Sequence, residues 1–344
     1  MPRTVLLIGS IPLNSADKVF EAVARALHGL VGRIPDGEGG ERLDWVNWQA
    51  AAFGRIPFVE TMAPVAPAAG GSGAARNQPR FRVRPGFPTA AVRFGPLGYA
   101  EAAVASYRVF ADMKAARKIP DHCRFQVGVA TALSVVGQYV DENFQAALEP
   151  AYEERLLREI GEIANAIPHG ELAIQWNLAT ELSIFDGHRP GYFDKIADGI
   201  LERLVRLCEH VPDGVELGLH LCYRDFLDTG FPLPRDLDRL VDLANGILGS
   251  VGREVDWLHM PAPSALADEA YFAPLRRLLL RPETEIFLGL VHREDGLSGT
   301  RRRIDAARPA LAKFGIASEC GLGQLSARDV DTILELHRDA AEAD

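Results

Sequence analysis

The 344-residue chain is poor in several things, and each scarcity narrows what it does. Its four cysteines, Cys123, Cys208, Cys222 and Cys320, are too few and too scattered for a disulfide framework in a chain this long. A reduced, cytoplasmic setting is the expectation. No apolar run reaches the ~18 residues of a membrane span. Met1-Pro2-Arg3-Thr4-Val5 enters a strand-like run without the charged region, apolar core and cleavage site of a secretory signal. Positive charge is in deficit, 37 Lys and Arg against 47 Asp and Glu, for a net charge of -10. That balance argues against nucleic acid or an anionic membrane as partner. There is no Gly-x-Ser-x-Gly elbow, no Walker loop, and no Gly-rich dinucleotide fingerprint, since Gly37-Glu38-Gly39-Gly40 does not fit one. The expected partner is a small molecule, with room for a homo-oligomer.

What is present is rhythm. Apolar, β-like runs alternate with amphipathic helical stretches along most of the chain. Thr4–Ile8, a stretch near Val31–Ile34, Phe125–Val129, Leu172–Trp176, Val215–Cys222, Val255–His259, Glu285–Val291 and Ile316–Ser318 read as strands. Helices are expected between them, near 193–211, 237–248, 271–280 and 299–314 among others, and a last one over 327–341 capped by Ser326. About eight βα units predict a (β/α)8 TIM barrel as a single domain over 1–344. Residues 54–92 break the rhythm. Their Pro, Ala and Gly punctuation, with few bulky apolar residues, reads as an inserted loop or lid.

In a parallel barrel, residues at strand C-termini converge on one mouth. Polar, metal-competent residues sit at such places here. His220 and Cys222 are two apart, so on a strand they share a face, and imidazole with thiolate suits zinc. A buried cysteine beside a satisfied histidine would explain that pair alone. His259, His292 and Cys320 end three later strands, which shifts the weighing toward a site. The loop Gly32–Arg42 reads either as a solvated turn or as a mouth loop in which Arg33, Asp36 and Glu38 hold substrate. Glu181 and Asp186 could serve as acid or base groups. Arg301-Arg302-Arg303 reads as a solvated helix face more than an anion patch.

At these residues the chain resembles the catalytic C-terminal barrel of the cobalamin-independent methionine synthases, within the wider methionine synthase and uroporphyrinogen decarboxylase-like barrels. Their His-x-Cys-Tyr motif matches His220, Cys222 and Tyr223, and their Asp-Cys-Gly-Leu looks like Glu319-Cys320-Gly321-Leu322. The early Gly-Ser matches Gly9-Ser10, and a seventh-strand histidine matches His292. The resemblance implies Zn2+ held by His220, Cys222 and Cys320, proton transfer by His292, and substrate contacts from Ser10, Asn177 and Tyr223.

Two departures qualify it. Where the family places a glutamate ligand this chain has His259, which is either a fourth ligand or no ligand at all. The family's Ile-Gln-Ile-Asp-Glu-Pro-Ala becomes Ile174-Gln175-Trp176-Asn177-Leu178-Ala179-Thr180. Asn177 and Leu178 thus replace acids that would hold an ammonium group. The expectation is a divergent zinc-dependent enzyme acting on a non-amino-acid molecule, by alkyl or methyl transfer to an activated thiol or alcohol. The alternatives are a zinc-dependent lyase releasing a small fragment such as an aldehyde, and a non-catalytic metal- or ligand-binding barrel.

Overall fold

The computed structural model describes residues 2–44, 46–62, 79–223, 234–265 and 268–343. Eight parallel strands form the central sheet: β1 (Val5–Leu6), β2 (Arg33–Pro35), β5 (Arg124–Ala130), β6 (Leu172–Leu178), β7 (Glu216–Leu221), β8 (Trp257–Pro261), β9 (Glu285–Val291) and β10 (Gly315–Ser318). Their order, β1-β10-β9-β8-β7-β6-β5-β2, brings the two sheet ends together. A parallel bridge between Val5 and Val31 joins those ends, with Val5 N–H donating to the Leu30 carbonyl at 2.8 Å. The fold is the expected TIM barrel.

Apolar side chains divide into two layers because strand neighbours face opposite ways. Inside the barrel, Leu6, Ile8, Ala173, Trp257, Phe287 and Ala317 form a compact plug. Outside it, residues such as Ile174, Leu217, Leu219, Leu258 and Leu288 pack in the larger core that also holds the helices' apolar faces. The plug needs Gly218. A Cβ there would meet the Trp257 ring at 1.8 Å, so only glycine lets that ring lie across the interior.

Two helices differ from expectation. The stretch near 271–280 is a single α-turn, Glu269–Phe272, followed by a 3-10 turn over Ala273–Arg277. Pro274, with no N–H to donate, accounts for the change. The helix expected over 299–314 spans Gly296–Ala307 and ends just before Pro309, which has no N–H to carry the helical hydrogen bonds further. Ser326 does cap, accepting from Arg328 N–H ahead of the last helix, Val330–Ala341. At the 54–92 insertion, β3 (Val59–Thr61) and β4 (Phe81–Val83) pair antiparallel, and Phe81 stacks on Phe53 at 5.3 Å. Its Pro/Ala/Gly-rich tip, residues 63–78, lies outside the described residues, as does Trp45.

Candidate metal centre at the barrel mouth

The register of the middle strands lines up the site. Asn177 of β6 pairs with His220 of β7, and His220 pairs with His259 of β8. Cys222 follows β7 and is anchored by its N–H donating to the Leu178 carbonyl at 2.9 Å. On the far side, the pairing of β10 with β9 slips between Ala317 and Ser318. Such bulges re-aim the residues that follow, and here the strand delivers Cys320.

The consequence is a cluster no single motif contains. Cys222 Sγ and Cys320 Sγ are 3.6 Å apart, and Cys320 Sγ is 3.6 Å from His220 Nε2. Neither cysteine is in a disulfide, and the three donor atoms all lie within 4.8 Å of one another. Tetrahedral zinc, with Zn–S about 2.3 Å and Zn–N about 2.0 Å, sets S···S about 3.8 Å and S···N about 3.5 Å. The residues therefore fit that ion by donor chemistry and by spacing.

His259, left by the sequence as either a fourth ligand or no ligand, stands outside the cluster. The ring is fully buried and both nitrogens are engaged, Nδ1 with His220 Nδ1 at 2.8 Å and Nε2 with the Ser318 carbonyl at 3.1 Å. Burial, then the neighbouring His220, hold its pKa well below the ordinary value, so it is neutral.

A cleft opens on the cluster, lined by Ser10, Glu38, Asn47, Gln138, Asn177 and Gln324 besides the three donors. Glu38 is its most constrained member. Its φ is +53°, next to Gly37 at +83°, a backbone held by its N–H donating to Asp36 Oδ1 at 2.9 Å. Ser10 Oγ donates to Glu38 Oε2 at 2.5 Å. A Cβ on Gly9 or on Gly128 would meet Glu38 Oε1 at 2.7 or 2.8 Å, so two glycines make the space for this carboxyl. Burial pushes it up to about 7, outweighing the Ser10 hydrogen bond.

Cys222 and Cys320 also border a second recess with Tyr223, His292, Glu319 and Ile333. His292 Nε2–H donates to the Ala262 carbonyl at 2.7 Å, and Nδ1 lies 3.8 Å from Glu319 Oε2. Burial, then Arg303, lower the His292 pKa, while burial and the Cys320 charge raise Glu319 to about 7. Both shifts favour neutral forms, so this approach is not an ion pair in the manner of a surface bridge.

Three further placements differ from the sequence reading. Arg33 is not at the mouth. It starts β2 and lies at the barrel's N-terminal end, bonded to Glu216 at 2.5 Å and Glu285 at 2.9 Å, and stacked over Trp257 at 4.3 Å. Asp36 does not line the cleft. It is buried behind it, where Arg42 and Ser106 donate to it at 2.7 and 2.6 Å and fix the loop that carries Glu38. Arg303 is no solvated residue but is fully buried, with a bidentate bond to Asp295 at 2.7 and 2.8 Å. Glu181 accepts from Thr131 and Ser134 within the strand-helix junctions. Asn47, Gln138 and Gln324 carried no motif. Only their position after strand ends could have pointed to them.

No protein-family model and no curated protein matches the chain. Solved structures do. A B12-independent methionine synthase from Shewanella sp. W3-18-1, in complex with selenomethionine, superposes with a TM-score of 0.63 at 14% identity, over 100% of this chain and 97% of that one. A methyltransferase from Methanosarcina mazei gives 0.54 at 11% identity, over 98% and 94%. At such identities the likeness establishes the fold. Among the described residues, no helix is long and apolar enough to cross a membrane.

Proposed function

We propose that the chain is a zinc-dependent transferase that passes a methyl or other alkyl group to the thiol or alcohol of a small molecule. The observation that carries this reading is the open three-donor cluster: His220, Cys222 and Cys320 at zinc spacing, with, among the described residues, a cleft on it rather than a fourth side chain. Three protein ligands and an open position are the pattern of catalytic zinc, whereas structural zinc is closed by four. Bound there, zinc would lower the pKa of a thiol or hydroxyl and favour its nucleophilic form. The fold shared with a methionine synthase and a methyltransferase supports the same reading.

The chain's own groups divide the work. Ser10, Glu38 and Asn177 orient the acceptor in the cleft. A carboxyl raised to about 7 retains a proton for part of the neutral range and can donate to an oxygen. That suits a hydroxyl or carbonyl better than an ammonium, and Asn177 adds no charge. His292, across the cysteine pair in the second recess, is placed to move a proton on the other side. Two recesses flanking one donor pair favour two substrates, hence transfer over cleavage of a single one.

The test is zinc analysis together with turnover assays. About one zinc per chain, with activity requiring both an alkyl donor and a thiol or alcohol acceptor, is the expected outcome. Homocysteine with a methyl-folate should yield no methionine. If it does, Glu38 is the carboxylate serving the ammonium and the substrate reading is wrong. Turnover of one compound alone would make the protein a lyase, and zinc without any turnover would make it a binding barrel.

A further inference from the structure

The two histidines that face each other at the mouth carry a consequence for the metal. We infer that His259 is a positioning residue that fixes the tautomer of His220, so that the nitrogen facing the cysteines presents a lone pair before any metal arrives. The purpose of this device rests on the metal-centre reading, but its chemistry does not.

A neutral imidazole has one N–H and one lone pair. His259 Nε2 lies 3.1 Å from the Ser318 carbonyl, which can only accept, so Nε2 carries the proton. His259 Nδ1 then presents its lone pair to His220 Nδ1, 2.8 Å away. Two N–H groups cannot meet at that distance, and two lone pairs would repel, so His220 Nδ1 is the donor. The lone pair of His220 is therefore on Nε2, the atom 3.6 Å from Cys320 Sγ. Histidine side chains in water favour the opposite tautomer, with the proton on Nε2, which cannot ligate through that atom.

The fold enforces the arrangement. The two residues are direct register partners on β7 and β8, and their side chains are sealed from water at 2% and 0% exposure. The carbonyl that starts the relay belongs to Ser318, two residues before Cys320, so the strand that delivers one donor also orients another. Hydrogen bonds to the far nitrogen of a metal-binding histidine set its orientation and basicity, and their loss commonly costs 10–100-fold in metal affinity. His259, at the place where the resemblance implies a charged ligand, thus serves the centre from one step behind and leaves the fourth position to substrate.

The test starts with 15N-histidine NMR of the metal-free parent, where His220 should show its proton on Nδ1. Zinc affinity is then measured by competition with a chromophoric chelator in two variants. His259→Leu removes the acceptor and should weaken binding about 10–100-fold with loss of the single tautomer. His259→Gln offers an amide N–H for Ser318 and an oxygen for His220, and should restore affinity to within a few-fold of the parent. X-ray absorption of the zinc-loaded parent should show one imidazole. A proton on Nε2 of His220 in the parent, unchanged affinity and tautomer in His259→Leu, or two imidazoles on the metal would each overturn the inference. Should His259→Leu fail to fold, the parent's NMR and absorption spectra decide. Zinc failing to bind the parent would sink the metal-centre reading, while the tautomer measurement would still judge this one.

Discussion

The two ends of the barrel treat charge in opposite ways. At the N-terminal end Arg33 lies between Glu216 and Glu285, Arg124 adds a 3.0 Å bridge to Glu216, and the Trp257 ring backs the Arg33 guanidinium. Within this group of four, each charge is answered by its opposite. At the C-terminal end Glu38 is held by a serine hydroxyl rather than a cation, Glu319 faces a neutral histidine, and two cysteines converge on one imidazole. The same barrel thus has one end whose charges neutralise each other and one end whose groups keep reactivity. A buried pair is costly to break because one charge is left uncompensated, whereas groups with displaced pKa values cluster where chemistry is done.

The comparison breaks most severely if the cysteines prove dispensable. Cys222→Ser and Cys320→Ser are expected to abolish stoichiometric zinc and turnover while keeping the parent's circular dichroism. Metal analysis beside an activity assay checks this, and a fully loaded Cys320→Ser would end the metal-centre reading. His292 comes next. His292→Gln should keep zinc and lose about 10²–10⁴-fold in rate, as befits a positioned acid or base outside the donor set. Zinc loss in that variant would make His292 a ligand.

Glu38→Gln probes the same end through stability. The folded protein holds the Glu38 proton up to about pH 7, against an ordinary carboxyl value of 4.5, so the folded state binds the proton more tightly than the unfolded one. Its contribution is favourable below about 4.5 and is lost as pH rises to about 7. The glutamine variant, which has no such proton to lose, should gain on the parent across that window by up to roughly 3 kcal/mol and hold the gain above it. Urea unfolding of both metal-free proteins at pH 5 and pH 8 measures this; parallel stabilities at the two pH values would mean Glu38 ionises normally.

Arg33→Met sharpens the contrast from the other end. Methionine keeps an apolar stem over Trp257 but leaves Glu216 to Arg124 alone. With Glu285 nearly half exposed, the loss should be only about 1–2 kcal/mol. Zinc content and rate should not change. A fall in activity without a fall in stability would put Arg33 back in the functional machinery.

Placing Arg33 beside Glu38 in one loop was the clearest misreading of the sequence, and its cause is simple. A strand advances about 3.3 Å per residue, so β2 carries the chain from the bottom of the barrel toward its mouth between those two residues. Charge density along a short segment cannot reveal that a strand separates its members. Arg303 was misread for a related reason: three consecutive arginines on a helix point different ways, and one of them faces the core.

The sequence by itself determined the barrel, because alternating apolar runs and amphipathic helices are local patterns set by strand and helix period. It also determined which residues carry metal-competent atoms at strand ends, since those atoms follow from side-chain type and place along a run. Only the tertiary structure decided which of them meet. His220 and His259 are 39 residues apart and Cys222 and Cys320 are 98 apart. Whether such residues touch, and whether the second histidine binds a metal or a neighbouring ring, depends on strand register and on a one-residue slip in β10. Those are properties of the closed sheet, which no local sequence pattern encodes.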